Sequence, residues 1–101
     1  MTTHIYSREE ITSHVISLLR KYRAESAILF GSYARHEATE DSDIDLIIVG
    51  GENFDPTNVF CIADELYRAL QKNVDVYEIS EINTGSALYN SIFREGVQIS
   101  A

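Results

Sequence analysis

Gly31-Ser32-Tyr33-Ala34-Arg35 and, a few residues on, Ser42-Asp43-Ile44-Asp45-Leu46 decide how the chain is read. The first segment follows the short apolar run Ala27-Ile28-Leu29-Phe30, which reads as a buried strand covered on both faces. Gly31 to Asp41 is polar and turn-rich, with room for one helical turn around Tyr33–His36. Asp43 to Val49 then reads as a second strand, closed by Gly50-Gly51. Side chains alternate along a strand, so Ile44, Leu46 and Ile48 face one way, and Asp43, Asp45, Ile47 and Val49 the other. The two aspartates therefore leave the same face, roughly 6–7 Å apart at the backbone.

The same reading extends outward in both directions. Upstream, Ser7 and Glu10 have capping-box spacing, and Ile11, Val15, Leu18 and Tyr22 fall on one helical stripe ending near Arg23. Downstream, Asp55-Pro56 starts a second long helix with the stripe Val59, Ile62, Ala63, Leu66, Tyr67 and Leu70. Lys72-Asn73 turns the chain into a third strand, Val74-Asp75-Val76-Tyr77. Ser80 to about Glu95 is a weaker helical stretch stopped by Gly96, and Val97-Gln98-Ile99 makes a short last strand. There is no repeat, low-complexity segment or linker. The order αββαβαβ predicts an α/β (α+β) mixture of two or three layers, and 101 residues suit a single domain over residues 1–101.

The chemistry gathers on the face that carries the aspartates. Ile47 and Val49 continue that face into the core, so the carboxylates stand at the mouth of a buried strand. Close, partly desolvated carboxylates repel each other unless a cation binds between them. Oxygen ligands of this kind suit magnesium or manganese, as one ion or as two about 3.5–4 Å apart. An Asp-x-Asp pair alone also occurs at strand starts as a cap or facing water, and Gly-Ser alone is often a simple strand-ending turn. Together they say more: Gly31 removes the side chain that would hold a phosphate away, and Ser32 can donate to its oxygens. Asp75 opposes the strand propensity of its own segment and joins Asp43 and Asp45 if the third strand lies beside the second; otherwise it faces solvent at an edge.

His4, His14 and His36 show no ligand spacing. Cys61, the only cysteine, permits no internal disulfide and reads as a small buried side chain.

The formal net charge of −8 argues against long nucleic acid as a partner. It allows a nucleotide whose charge a metal offsets, or a basic protein. Hydrophobic residues make up 45 %, enough for a core, and a domain this small gains from a homo- or hetero-oligomeric partner. No apolar leader and no run of about 18 apolar residues is present, which makes the cytoplasm the expected location and a membrane an unexpected partner.

These segments resemble the signature of the polymerase-beta nucleotidyltransferase superfamily: Gly-Ser, about ten residues, then Asp-x-Asp on the next strand. More narrowly, they are similar to its small stand-alone members, the minimal nucleotidyltransferases (MNT). Val74-Asp75-Val76 is similar to the segment carrying the family's third aspartate, and the likeness covers nearly the whole chain. One departure is His36, where members usually have glycine.

The resemblance implies a polymerase-beta-like fold: a mixed sheet of three to four strands with helices mainly on one side. It implies magnesium, in two ions, on Asp43 and Asp45, with Asp75 as third ligand or base. ATP or another nucleoside triphosphate would sit with its phosphates at Gly31 and Ser32, Arg35 would contact the nucleotide or pack the loop, and Ser42 would order the loop. A nucleotidyl group would pass to a hydroxyl as pyrophosphate leaves. Minimal members pair with a helical HEPN ribonuclease toxin, which they adenylylate as its antitoxin, often at a tyrosine. With no room here for an acceptor domain, the leading expectation is transfer of AMP to such a partner protein. Neutralisation by contact alone and transfer to a small molecule are the alternatives.

Overall fold

The computed structural model describes residues 2–101. The elements are α1 (Arg8–Tyr22), β1 (Ser26–Phe30), a 3-10 turn (Gly31–Tyr33), β2 (Ile44–Val49), α2 (Asn58–Leu70), β3 (Val74–Glu78), a second 3-10 turn (Ile79–Glu81), α3 (Ala87–Glu95) and β4 (Val97–Ser100). The four strands form one mixed sheet in the order β3-β2-β1-β4. β1 runs antiparallel to both β2 and β4, whereas β2 and β3 run parallel. Because a parallel pair needs a crossover, α2 supplies it.

The two long helices lie together on one face. α1 starts where its capping box predicts: Ser7 Oγ accepts the Glu10 N–H at 3.1 Å, and Glu10 Oε1 accepts the Ser7 N–H at 3.0 Å. It stops at Arg23, whose left-handed backbone (φ 61°) ends the helical repeat. Its stripe of Ile11, Val15, Leu18 and Leu19 packs with Val59, Ile62, Leu66 and Leu70 of α2 over Leu29, Leu46 and Ile48 of the sheet. That apolar burial is the main force holding the layers together.

The opposite face carries a smaller cluster. Ile28 and Ile47 meet Ile92 of α3, flanked by Phe30, Val49, Ile79 and Ile82. Gly96 allows this close approach, since a Cβ there would lie 2.3 Å from Ile28 Cγ2.

Several sequence expectations are corrected. Ser80–Glu95 is not one helix. The Glu78 carboxylate holds Ser80 through its N–H and hydroxyl, which shapes the second 3-10 turn. Gly85 (φ 85°) then separates that turn from α3, which Ser86 caps by accepting the Tyr89 N–H at 3.1 Å.

Cys61 is exposed rather than buried, because it sits about 100° around α2 from the inward-facing Ile62. Tyr67, one residue past the buried Leu66, is likewise 41 % exposed. Asp55 caps a preceding turn by accepting the Thr57 N–H at 3.0 Å, and α2 itself begins at Asn58. β2 begins at Ile44, leaving Asp43 just before it. No helix among the described residues is long and apolar enough to cross a membrane.

Candidate active site

Three elements converge at one corner of the sheet. The β1–β2 register pairs Phe30 with Asp45, and the β2–β3 register pairs Asp45 with Asp75. Residues paired across a sheet share a face, so Asp45 and Asp75 project side by side. Gly31 follows Phe30 directly, in the left-handed region at φ 75°. A Cβ on Gly31 would lie only 2.4 Å from Asp45 Oδ2. The Asp45 carboxylate therefore rests against the Gly31 backbone, in space that any other residue would fill.

Asp45 is partly buried, whereas Asp43 and Asp75 are exposed. Burial raises the Asp45 pKa above the ordinary aspartate value, and the neighbouring charges of Asp75 and Asp43 push it the same way. The positive charge of Arg35 opposes the rise. Arg35 thus belongs to the same electrostatic neighbourhood. Its exposed guanidinium also meets Glu37 at 3.2 Å and Glu95 at 3.7 Å.

The loop that delivers Asp43 is tied at both ends. Ser42 Oγ accepts the Thr39 N–H at 2.8 Å, and the Ser42 N–H donates to the Thr39 carbonyl at 3.1 Å. Lys72, only 3 % exposed, donates through Nζ to the Glu40 carbonyl at 2.8 Å. The Ile44 N–H donates to the Asn73 carbonyl at 3.0 Å. Ser32 is half-buried in the 3-10 turn beside Gly31.

Beside Asp45, a cavity of about 250 Å³ opens among Phe30, Ile47, Tyr77, Ile82 and Leu88. Its walls are mostly apolar, with one carboxylate at the edge. Such a cavity suits the flat or apolar part of a ligand whose charged part lies at Asp45.

Among the described residues, no three His, Cys, Asp or Glu side chains are already gathered as a set of metal ligands. The acidic corner still fits a divalent cation in its chemistry. It offers oxygen donors only, and crowding disfavours the charge on Asp45 in a way that a cation would relieve.

Of the expected residues, Gly31, Asp45 and Asp75 lie together at one corner, while Asp43 just before β2 and Arg35 after the turn act on Asp45 through their charges, and Ser32 and Ser42 lie in the flanking segments. The sequence reading missed Tyr77 and Leu88 at the cavity, and Lys72 beneath the loop. Tyr77 was accessible to it, since it lies two residues from Asp75 and so shares its face. Nothing local marks Lys72, because the Glu40 carbonyl it holds lies 32 residues away.

The chain is similar to known proteins over most of its length. The family model for polymerase beta, nucleotidyltransferase, matches residues 13–101. The chain is 36 % identical over 90 residues to the putative protein adenylyltransferase MJ0435 of Methanocaldococcus jannaschii, covering 89 % of this chain and 95 % of that one. It superposes with a TM-score of 0.73 and 27 % identity on a chain from the crystal structure of a toxin–antitoxin with AMP-PNP, over 86 % of this chain and 70 % of that one. A structure of the tri-AMPylated Shewanella oneidensis HEPN toxin in complex with MNT antitoxin matches with a TM-score of 0.67 and 25 % identity, over 89 % of this chain and 69 % of that one. With a glycine turn set against paired aspartates and a family match over almost its whole length, the chain belongs to the polymerase-beta nucleotidyltransferase family.

Proposed function

We propose that the chain is a metal-dependent protein adenylyltransferase that moves AMP from ATP to a hydroxyl of a HEPN-type toxin and so acts as its antitoxin. The observation that carries this reading is Asp45, held beside Asp75 across a parallel strand pair and against the Gly31 backbone.

In this reading Gly31 and Ser32 receive the phosphates, and Asp43, Asp45 and Asp75 hold magnesium, in two ions. When bound, the metal offsets phosphate charge and eases departure of pyrophosphate. Arg35 adds positive charge at the nucleotide, and Ser42 with Lys72 keeps the Asp43 loop in place. The acceptor oxygen forms its bond to the α-phosphorus as the bond to pyrophosphate breaks, and its proton passes to an aspartate, with Asp75 the exposed choice. The neighbouring structures with AMP-PNP and with an AMPylated HEPN toxin support the choice of nucleotide and acceptor.

A second reading is neutralisation by contact alone. It draws on the net charge of −8 and on the aspartates not being gathered as a ligand set. Incubation with α-labelled ATP, magnesium and a HEPN-type protein encoded beside the gene separates the two. The first reading expects label on the partner, lost in Asp45→Asn. An unlabelled partner that both wild type and Asp45→Asn still neutralise would overturn it.

A further inference from the structure

We infer that Lys72 is a positioning residue for the proposed metal site. It ties the loop of Asp43 to the turn that leads into Asp75, and so sets Asp43 against the other two aspartates. The inference rests on the proposed function, because it concerns the same site.

Of the three aspartates, only Asp43 needs such a tie. Asp45 and Asp75 are register partners inside the sheet, whose ladder holds them. Asp43 lies before β2, exposed, at the end of the segment Glu40-Asp41-Ser42-Asp43. The acids Glu40, Asp41 and Asp43 repel one another and favour a spread loop. Two bonds to the α2–β3 turn counter this. Lys72 Nζ donates to the Glu40 carbonyl at 2.8 Å, and the Ile44 N–H donates to the Asn73 carbonyl at 3.0 Å. They grip the chain on both sides of Asp43, from positions just before Asp75.

Stability alone does not call for lysine at this position. Lys72 is buried and, among the described residues, forms no ion pair. An ammonium withdrawn from water onto one neutral carbonyl is costly. A methionine of similar length would fill the space without that cost. What the charge offers is electrostatic. A cavity of about 270 Å³ beside the loop is lined by Glu40, Asp41, Asp43, Lys72 and Asn73, among others, and Lys72 is its only cationic residue. Lys72 also stands just past the C-terminal end of α2, where positive charge is favoured. Its charge thus opposes the spreading of the acidic loop, and its hydrogen bond sets where the loop lies.

The test is titration of manganese–AMP-PNP with the full chain, followed by water-proton relaxation. Removing a group that orients a metal ligand typically weakens metal binding by about 10–100-fold. Lys72→Met should keep the circular dichroism of the wild type and bind the manganese complex about 10-fold or more weakly. In an Asp43→Asn background the same change should have no further effect, because the ligand through which Lys72 acts is already lost. Lys72→Gln, whose side chain is too short to reach the Glu40 carbonyl, serves as the second variant if Lys72→Met does not fold, with the same expectations. Wild-type affinity in the Lys72 variant, or an undiminished loss in the Asp43→Asn background, would overturn the inference. So would a lower melting temperature with affinity kept, the mark of a purely structural tie. No binding by the wild type would instead remove the reading on which the inference rests.

Discussion

Asp45 of β2 and Asp75 of β3 are register partners in a parallel strand pair, and the charge of Asp75 helps raise the Asp45 pKa. The fold thus holds two acids at a distance where both are ionised only at a cost. It does so at the end of β1, where Gly31 leaves space for one of them.

The ligand-free chain should therefore become more stable when Asp45 is neutralised. Burial and nearby carboxylates disfavour the charged form, so Asp45 weakens the fold as pH rises above the ordinary value of 3.8. Asp45→Asn is expected to melt at a higher temperature than wild type at neutral pH, with the gap closing below that value. The same variant should lose AMP transfer. Calorimetry and a labelling assay on one preparation check both outcomes.

Gly31→Ala should damage both fold and function. Its φ of 75° costs a residue with a side chain about 1–2 kcal/mol. The new methyl would also displace the Asp45 carboxylate, 2.4 Å away. Urea unfolding should show at least that loss of stability, and nucleotide binding should fall together with it.

Glu78 predicts a pH dependence of the opposite sign. It is 7 % exposed, and burial alone would raise its pKa. Hydrogen bonds from the Ser80 hydroxyl and from the N–H groups of Ser80 and Gly50 outweigh that and hold it below the ordinary value of 4.5. These donors serve the ionised form. Their stabilisation is complete above 4.5 and fades as pH falls through the lower folded value. Glu78→Gln should cost about 1–3 kcal/mol at neutral pH. Urea titrations in acid should show the gap to wild type narrowing.

His36 explains the departure from the family pattern. It occupies the left-handed region at φ 58°, where glycine is free of strain. His36→Gly should leave the fold unchanged and stabilise it by a few tenths to about 1 kcal/mol, part of the gain being offset by glycine's greater freedom when unfolded. Denaturant midpoints for the two proteins provide the comparison.

Much of this arrangement was legible in the sequence because its signals are local. The Ser7–Glu10 box, the stripe of α1 and the alternation along β2 each depend on neighbours a few residues apart, and each is seen in the fold. The pairing of Asp75 with Asp45 followed once β3 was set beside β2. Features that depend on distant contacts were hidden. Lys72 reads as a turn residue until Glu40 is found above it. Cys61 and Tyr67 belong to an apolar-looking helix whose buried stripe is narrower than its composition suggests. The segment from Ser80 to Glu95 has helical composition, but competition from the Glu78 carboxylate and the bend at Gly85 breaks it.

The central claim is that the acidic corner beside Gly31 takes a nucleotide together with a divalent cation. Calorimetric titration with AMP-PNP, with and without magnesium, on wild type and Asp45→Asn measures this directly. The account predicts binding to wild type that requires magnesium and is abolished in the variant. Equal affinity with and without the metal, or wild-type affinity in Asp45→Asn, would contradict it.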